Sequence, residues 1–336
     1  MAGDRDIAVA FVRALAGSDR TTRVGWEMTS ATGVRGLRLL SETRAFRRFL
    51  FSEAQPEAAR VLTANAERFP GAEVREGDCR SPPDGAPFDY VDLDPYGTPA
   101  PFLTGALSAV RDSGVLAVTA TDMMVLAGAQ PAACVARYGA RPVRGRLGPE
   151  GGLRILLGYL ARNARATGRT IRPLLAYARD HYVRAYIELR DGSAHDELLA
   201  TVEPDRWEGP WLGDRGPFGP MWLGPLFDAE LVGRLVTPEG AARPDEVSTF
   251  LSRVRGEATV DRPFYYESNV VCARLGLAAP PSLRSVEEAL RARGFRTART
   301  HARPEGFRTD APRTVVEDVV RRLSPPAQSQ KTRVRA

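Results

Sequence analysis

Apolar positions recur at helical spacing over Asp6–Leu15 and give way to a short strand at Arg23–Met28. A turn of small residues, Thr29–Gly33, leads into a helix running to Leu40. Arg48–Ser52 reads as a strand, and Gln55–Phe69 as an amphipathic helix opened by Pro56 near its first turn. The pattern then predicts strands at Glu73–Gly77 and Tyr90–Leu93, a helix at Phe102–Val110 and a buried strand at Val115–Ala120. Strands alternating with helices specify a mostly parallel, doubly wound sheet.

A further helix spans Leu153–Ala166, followed by two β-rich runs, Thr170–Ala178 and Tyr182–Leu189. Only Arg179-Asp180-His181 separates them, which allows an antiparallel pair but no crossover helix. An antiparallel hairpin closing a parallel sheet is how class I methyltransferases end. The predicted fold is therefore α/β: a class I (Rossmann-like) domain over 1–225 and a smaller C-terminal α+β domain over 226–323. Residues 203–225, dense in Gly, Pro and Trp, read as irregular linking structure. Ser268–Leu275, Leu283–Arg293 and Thr297–Thr309 suggest helix, helix and β-wing, a winged-helix-like arrangement. The tail 324–336 reads as a disordered basic end.

Composition narrows the class. With 336 residues, 43% hydrophobic and 26% charged, the chain is no disordered, collagen-like or disulfide-scaffold protein, and it can build two cores. No run reaches the ~18 apolar residues of a membrane helix, and Met1–Asp6 does not open a secretory signal. A cytoplasmic protein without a membrane partner is expected, and no obligate protein partner is evident. All but one of the 47 basic residues are arginine, a choice that follows the codons of a GC-rich genome. The net charge of +6 does not follow from that and fits a polyanionic partner. Cys79, Cys134 and Cys272 are far apart and form no CxxC pair, so no metal site is expected.

Chemistry concentrates at the expected carboxyl ends of the strands. Small residues in Glu27–Gly36 let a ligand approach the backbone, and Glu27 can hold a cationic amine. Glu53, ending the second strand, stands where nucleoside-binding α/β folds place an acid against ribose hydroxyls. Asp78 ends the third strand and can meet an adenine amine. After the fourth comes Asp92-Leu93-Asp94-Pro95-Tyr96-Gly97. There Pro95 fixes the backbone, Tyr96 can stack on a base and Asp94 can accept a hydrogen bond from an exocyclic amine. That contact aligns the nitrogen with a methyl donor and stabilises its developing positive charge.

These residues resemble the tRNA (guanine-26-N2)-dimethyltransferases, archaeal type. The likeness lies in Asp4-Arg5-Asp6-Ile7, Ser30–Gly36, Asp92–Gly97, Thr119–Asp122 and Gly152–Leu156. It continues through Asp180-His181-Tyr182, Trp222–Asp228 and Arg299-Thr300-His301 with Thr309–Pro312, in order from about residue 4 to 323. The resemblance implies S-adenosylmethionine as donor, bound at Arg5, Arg35, Glu53, Asp78 and Cys79, with Asp94 as the catalytic carboxylate. It implies N2,N2-dimethylguanosine as product, made in two transfers. Glu53 and Asp4 stand where relatives usually have Asp and Asn. Relatives also carry a leading segment before the Arg5 motif that helps wall the pocket, and some carry cysteine pairs that this chain lacks.

A guanine N2 inside a stem is closed to in-line attack, so the base must be flipped out, at roughly a few kcal/mol. Phosphate contacts would position the tRNA. The candidates are Arg141, Arg144 and Arg146 beside the pocket and Arg293, Arg296, Arg299 and Arg303 in the second domain. Tyr138 is a second candidate base platform, with an aromatic core position as its alternative. Two other readings fit the sequence: an amine methyltransferase on another nucleic acid, and a catalytically silent tRNA-binding protein. DNA adenine enzymes usually carry Asn-Pro-Pro or paired prolines, which Asp94–Gly97 does not.

Overall fold

The computed structural model describes residues 2–17, 23–84, 86–192, 198–213 and 215–324, so the tail beyond 324 lies outside the described residues. Strands β1 (Arg23–Glu27), β2 (Phe46–Glu53), β3 (Ala72–Glu76), β4 (Phe88–Leu93), β5 (Val110–Ala120), β6 (Arg169–Arg179) and β7 (Tyr182–Asp191) form one sheet. Its order is β3-β2-β1-β4-β5-β7-β6. The first five strands run parallel, and β7 pairs antiparallel with both β5 and β6. The short connection at Asp180 therefore does what its length requires.

Alternation along the strands feeds two cores. Leu50, Val91, Leu93, Leu116 and Val118 face one side, packed by α4 (Leu103–Ala109), α5 (Met123–Leu126), α6 (Pro131–Tyr138) and α7 (Gly148–Arg165). Phe49, Phe51, Tyr90, Val115 and Ala117 face the other, packed by α1 (Ala2–Ala16), α2 (Val34–Thr43) and α3 (Pro56–Ala66). Gly36 lets α2 lie close against the sheet: a Cβ there would stand 2.4 Å from Phe51 and 2.8 Å from Glu27.

The segment 203–225 departs from expectation. Phe218–Trp222 is a strand, β9, paired antiparallel with β8 (Leu199–Val202), and it follows a Pro-rich stretch that hid it from the sequence pattern. Helices α8 (Ala229–Gly233) and α9 (Pro244–Ala258), placed by sequence in the second domain, bury Leu231, Val232, Val247 and Leu251 in the core that α1 shares. Beyond them β10 (Tyr266–Glu267), α10 (Ser268–Arg274), α11 (Leu283–Ala292), β11 (Thr297–Arg299), β12 (Gly306–Thr309) and α12 (Arg313–Leu323) surround a separate core of Phe307, Val286, Leu290 and Val316.

A buried ion cluster joins this last unit to the first. Arg308 lies 2.8 Å from Glu150 of α7 and 2.6 Å from Glu257 of α9, all three buried. Burial opposes ionisation of Glu257, but His301 and Arg308 hold its carboxyl down at about 2. The main-chain N–H of Ala178 meets His301 Nε2 at 3.3 Å, and Nδ1 of the same ring faces Glu257 at 2.5 Å.

Candidate active site

Strand order reverses between β1 and β4, and a crevice opens there at the carboxyl ends of the strands, the place where such sheets bind ligands. A cavity of about 610 Å³ occupies it. Arg5, Glu27, Arg35, Glu53, Asp78, Cys79, Asp94, Pro95 and Tyr96 all line this cavity, so the predicted catalytic and donor-binding residues converge.

The loop after β4 is pinned at three points. The Asp94 N–H donates to Thr29 Oγ1 at 3.2 Å, and the Gly97 N–H donates to Thr121 Oγ1 at 2.7 Å. The Thr121 N–H returns a bond to the Gly97 carbonyl at 2.9 Å. The third anchor is Tyr138, whose hydroxyl donates to Asp122 at 2.9 Å and accepts from Thr98 at 2.8 Å. Tyr138 is fully buried, so it is no base platform; its ring is core and its hydroxyl braces the loop. Tyr96 is 97% exposed and free to meet a base.

Behind the loop lies a network of buried charges. Arg35 reaches Asp94 and Asp4 at 2.6 Å each and Asp92 at 3.3 Å. Arg184, wholly buried on β7, donates to Asp92 at 2.6 Å and to Thr119 at 2.6 Å. Tyr177 and Tyr182 donate to Asp4, and Tyr90 donates to Asp92. Burial opposes charge on Asp92 and Asp4, yet Arg184 and Arg35 hold both carboxyls below the usual range. The sequence reading assigned no partner to Asp92 and did not reveal this network. The signal was present: Asp92 lies between the buried Val91 and Leu93 near the end of β4 and must find partners.

The donor set fits S-adenosylmethionine. Glu27 is buried and holds the Gly36 N–H at 3.3 Å; burial, then Asp92 and Asp94, push its carboxyl up to about 8. An arriving ammonium would relieve that strain, which is the match expected for the amino end of the donor. Arg5 makes no ion pair or hydrogen bond among the described residues and suits the donor carboxylate. Arg35 Nε is buried and unpartnered. Both oxygens of Glu53 are fixed by main-chain N–H groups, from Ala31 at 2.7 Å and Gln55 at 2.9 Å. Each oxygen keeps a lone pair for a ribose hydroxyl. Asp78 is exposed and paired with Arg80 at 2.5 Å, while Cys79 is buried, its thiol pushed up to about 11 by burial and Asp78. Cys79 is thus a neutral wall, not a nucleophile.

The arginines expected on tRNA fall elsewhere. Arg141, Arg144 and Arg146 do not line this cavity; Arg144 and Arg146 line another, at the junction with the last unit. Arg293, Arg296 and Arg299 are paired with Asp318, Asp310 and Glu287, and Arg303 lies against Tyr265. The arginines of these pairs reach solvent, although Glu287, the partner of Arg299, is itself buried.

A parallel sheet closed by an antiparallel hairpin, with acids at four successive strand ends around one cavity, defines a class I methyltransferase. The chain belongs to the N2,N2-dimethylguanosine tRNA methyltransferase family, whose profile matches residues 1–202 and 212–321. A tRNA (guanine(26)-N(2))-dimethyltransferase of Thermococcus kodakarensis is 36% identical over 96% of this chain and 92% of its own. The one from Pyrobaculum arsenaticum is 35% identical over 96% and 89%. The structure of Trm1 from Pyrococcus horikoshii with S-adenosyl-L-methionine superposes with a TM-score of 0.85 at 31% identity, covering 95% and 93% of the two chains. Neither a DNA enzyme nor a silent binder is favoured by these matches. No helix among the described residues is long and apolar enough to cross a membrane.

Proposed function

We propose that this protein methylates the exocyclic N2 of guanine-26 in tRNA, twice in succession, giving N2,N2-dimethylguanosine. The observation that carries the reading is the Asp94 carboxylate, held by Arg35 at 2.6 Å beside an exposed Tyr96 in one cavity with the donor-binding set. S-adenosylmethionine, bound at Arg5, Glu27, Arg35, Glu53, Asp78 and Cys79, supplies a methyl group on a sulfonium sulfur.

Tyr96 stacks on the flipped guanine. One oxygen of Asp94 accepts an N2–H bond, which aims the nitrogen lone pair at the methyl group and offsets the positive charge that grows on N2; as the N–CH3 bond forms and the methyl–sulfur bond breaks, that N2 proton passes to the carboxylate and on to solvent. The pinned loop keeps that carboxylate in place before the base arrives, so little reorganisation is left to the reaction itself. A monomethylated N2 still carries one N–H for Asp94 to accept, which allows the second transfer. Arginines on the surface hold the phosphates, and the enzyme works on tRNA in the cytoplasm.

Nucleoside mass spectrometry of a G26 tRNA after incubation with enzyme and donor tests the reading. Dimethylguanosine at position 26 is expected; unchanged guanosine there would refute it.

A further inference from the structure

Where the last unit meets the segment just before α7, a second cavity of about 210 Å³ opens, lined by none of the residues of the active-site cavity. Its walls are apolar and aromatic, with Leu147, Trp211, Tyr265, Val270 and Val271, and its rim carries Arg144, Arg146 and Arg274. Arg144 is exposed and makes no ion pair among the described residues. Glu267 also lines the cavity: one oxygen takes Arg146 at 2.5 Å, and the other is buried without a partner. An apolar slot of this size with a cationic rim matches a single nucleobase carrying its phosphate. The lone carboxylate oxygen asks for an amino or ring N–H donor, which the pairing edge of each RNA base presents: N1–H and N2–H in guanine, N6–H in adenine, N4–H in cytosine and N3–H in uracil.

We infer that this cavity is a second nucleotide pocket, which captures a tRNA base other than the one methylated. The inference rests on the reading of tRNA as substrate. Reach supports it: Arg144 follows Tyr138, which braces the catalytic loop at Thr98, by six residues, at most ~20 Å of chain. One RNA can therefore span both cavities.

Binding of tRNAs that each carry one abasic nucleotide, with guanine-26 kept, tests the pocket on full-length protein. One position besides 26 should weaken wild-type binding about tenfold. Val270→Glu should cost intact tRNA a similar factor, and the abasic site should then add nothing. Arg144→Glu, at an exposed position, provides a second route should Val270→Glu not fold: it should weaken tRNA and lower the salt slope by about one. Wild-type affinity in both variants, or losses that add in full, would overturn the inference. Failure to methylate guanine-26 with these binding results intact would instead refute the proposed reaction and leave the pocket standing.

Discussion

Arg35 holds Asp94 through a 2.6 Å contact while reaching Asp4 and Asp92 with the rest of its guanidinium. A residue expected on the donor alone thus also orients the carboxylate proposed as catalytic. Asp94→Ala should lower kcat by at least ~10²-fold, the scale of losing one preorganised electrostatic partner. Arg35 keeps two of its carboxylates, so the fold and tRNA affinity, within a few-fold, should survive. Single-turnover methylation and filter binding check this; retained turnover would remove Asp94 from the catalytic role.

Glu27 makes stability depend on pH. Its folded carboxyl titrates near 8 against an ordinary value of 4.5, so folding favours the protonated form. That contribution is fully present below about 4.5 and is lost as pH rises through about 8. Thermal melting should therefore show stability falling between these values, and Glu27→Gln, which cannot ionise, should flatten the fall. Donor binding should release a proton near neutral pH, measurable by calorimetry in buffers of different ionisation heat. Equal melting slopes in the two proteins would contradict the assignment.

Arg184 carries a structural charge. Replacing it by Met leaves Asp92 and Asp4 buried with Arg35 as their remaining cation, a loss of about 3–5 kcal/mol. Lys should recover only part, because one ammonium on a shorter reach cannot hold both Thr119 and Asp92 as the guanidinium does. Chemical denaturation of the three proteins would rank them; an unaltered midpoint for Met would show that the network contributes little.

Tyr138→Phe removes only the hydroxyl that links Thr98 to Asp122. The loop after β4 then loses one of its anchors, so kcat should fall several-fold while donor affinity holds. Stability should drop by about 1–2 kcal/mol, since Thr98 and Asp122 each lose a partner. A change in donor affinity without one in kcat would place Tyr138 in a different role.

Much of the site was legible because it lies at strand ends, where periodicity locates each element and motif residues follow at once. Glu27, Glu53, Asp78 and Asp94 needed only the alternation of strand and helix. The braces were not legible. Thr29 and Thr121 are ordinary threonines until β1, β4 and β5 are set side by side, and Tyr138 comes from a helix, α6, that the pattern did not reveal. Arg184 was hidden for another reason: a charge in a β-rich run reads as solvated unless the face opposite is known to hold an acid. The packing of α8 and α9 against α1 joins segments more than 200 residues apart, beyond any local signal.

The central claim, that Asp94 directs methyl transfer to guanine-26, is tested most directly by labelled S-adenosylmethionine with two tRNAs that differ only in carrying G26 or A26. Wild-type enzyme should label the G26 tRNA alone, and Asp94→Ala should label neither. Equal label on both tRNAs, or none on either with the wild-type enzyme, would contradict the account.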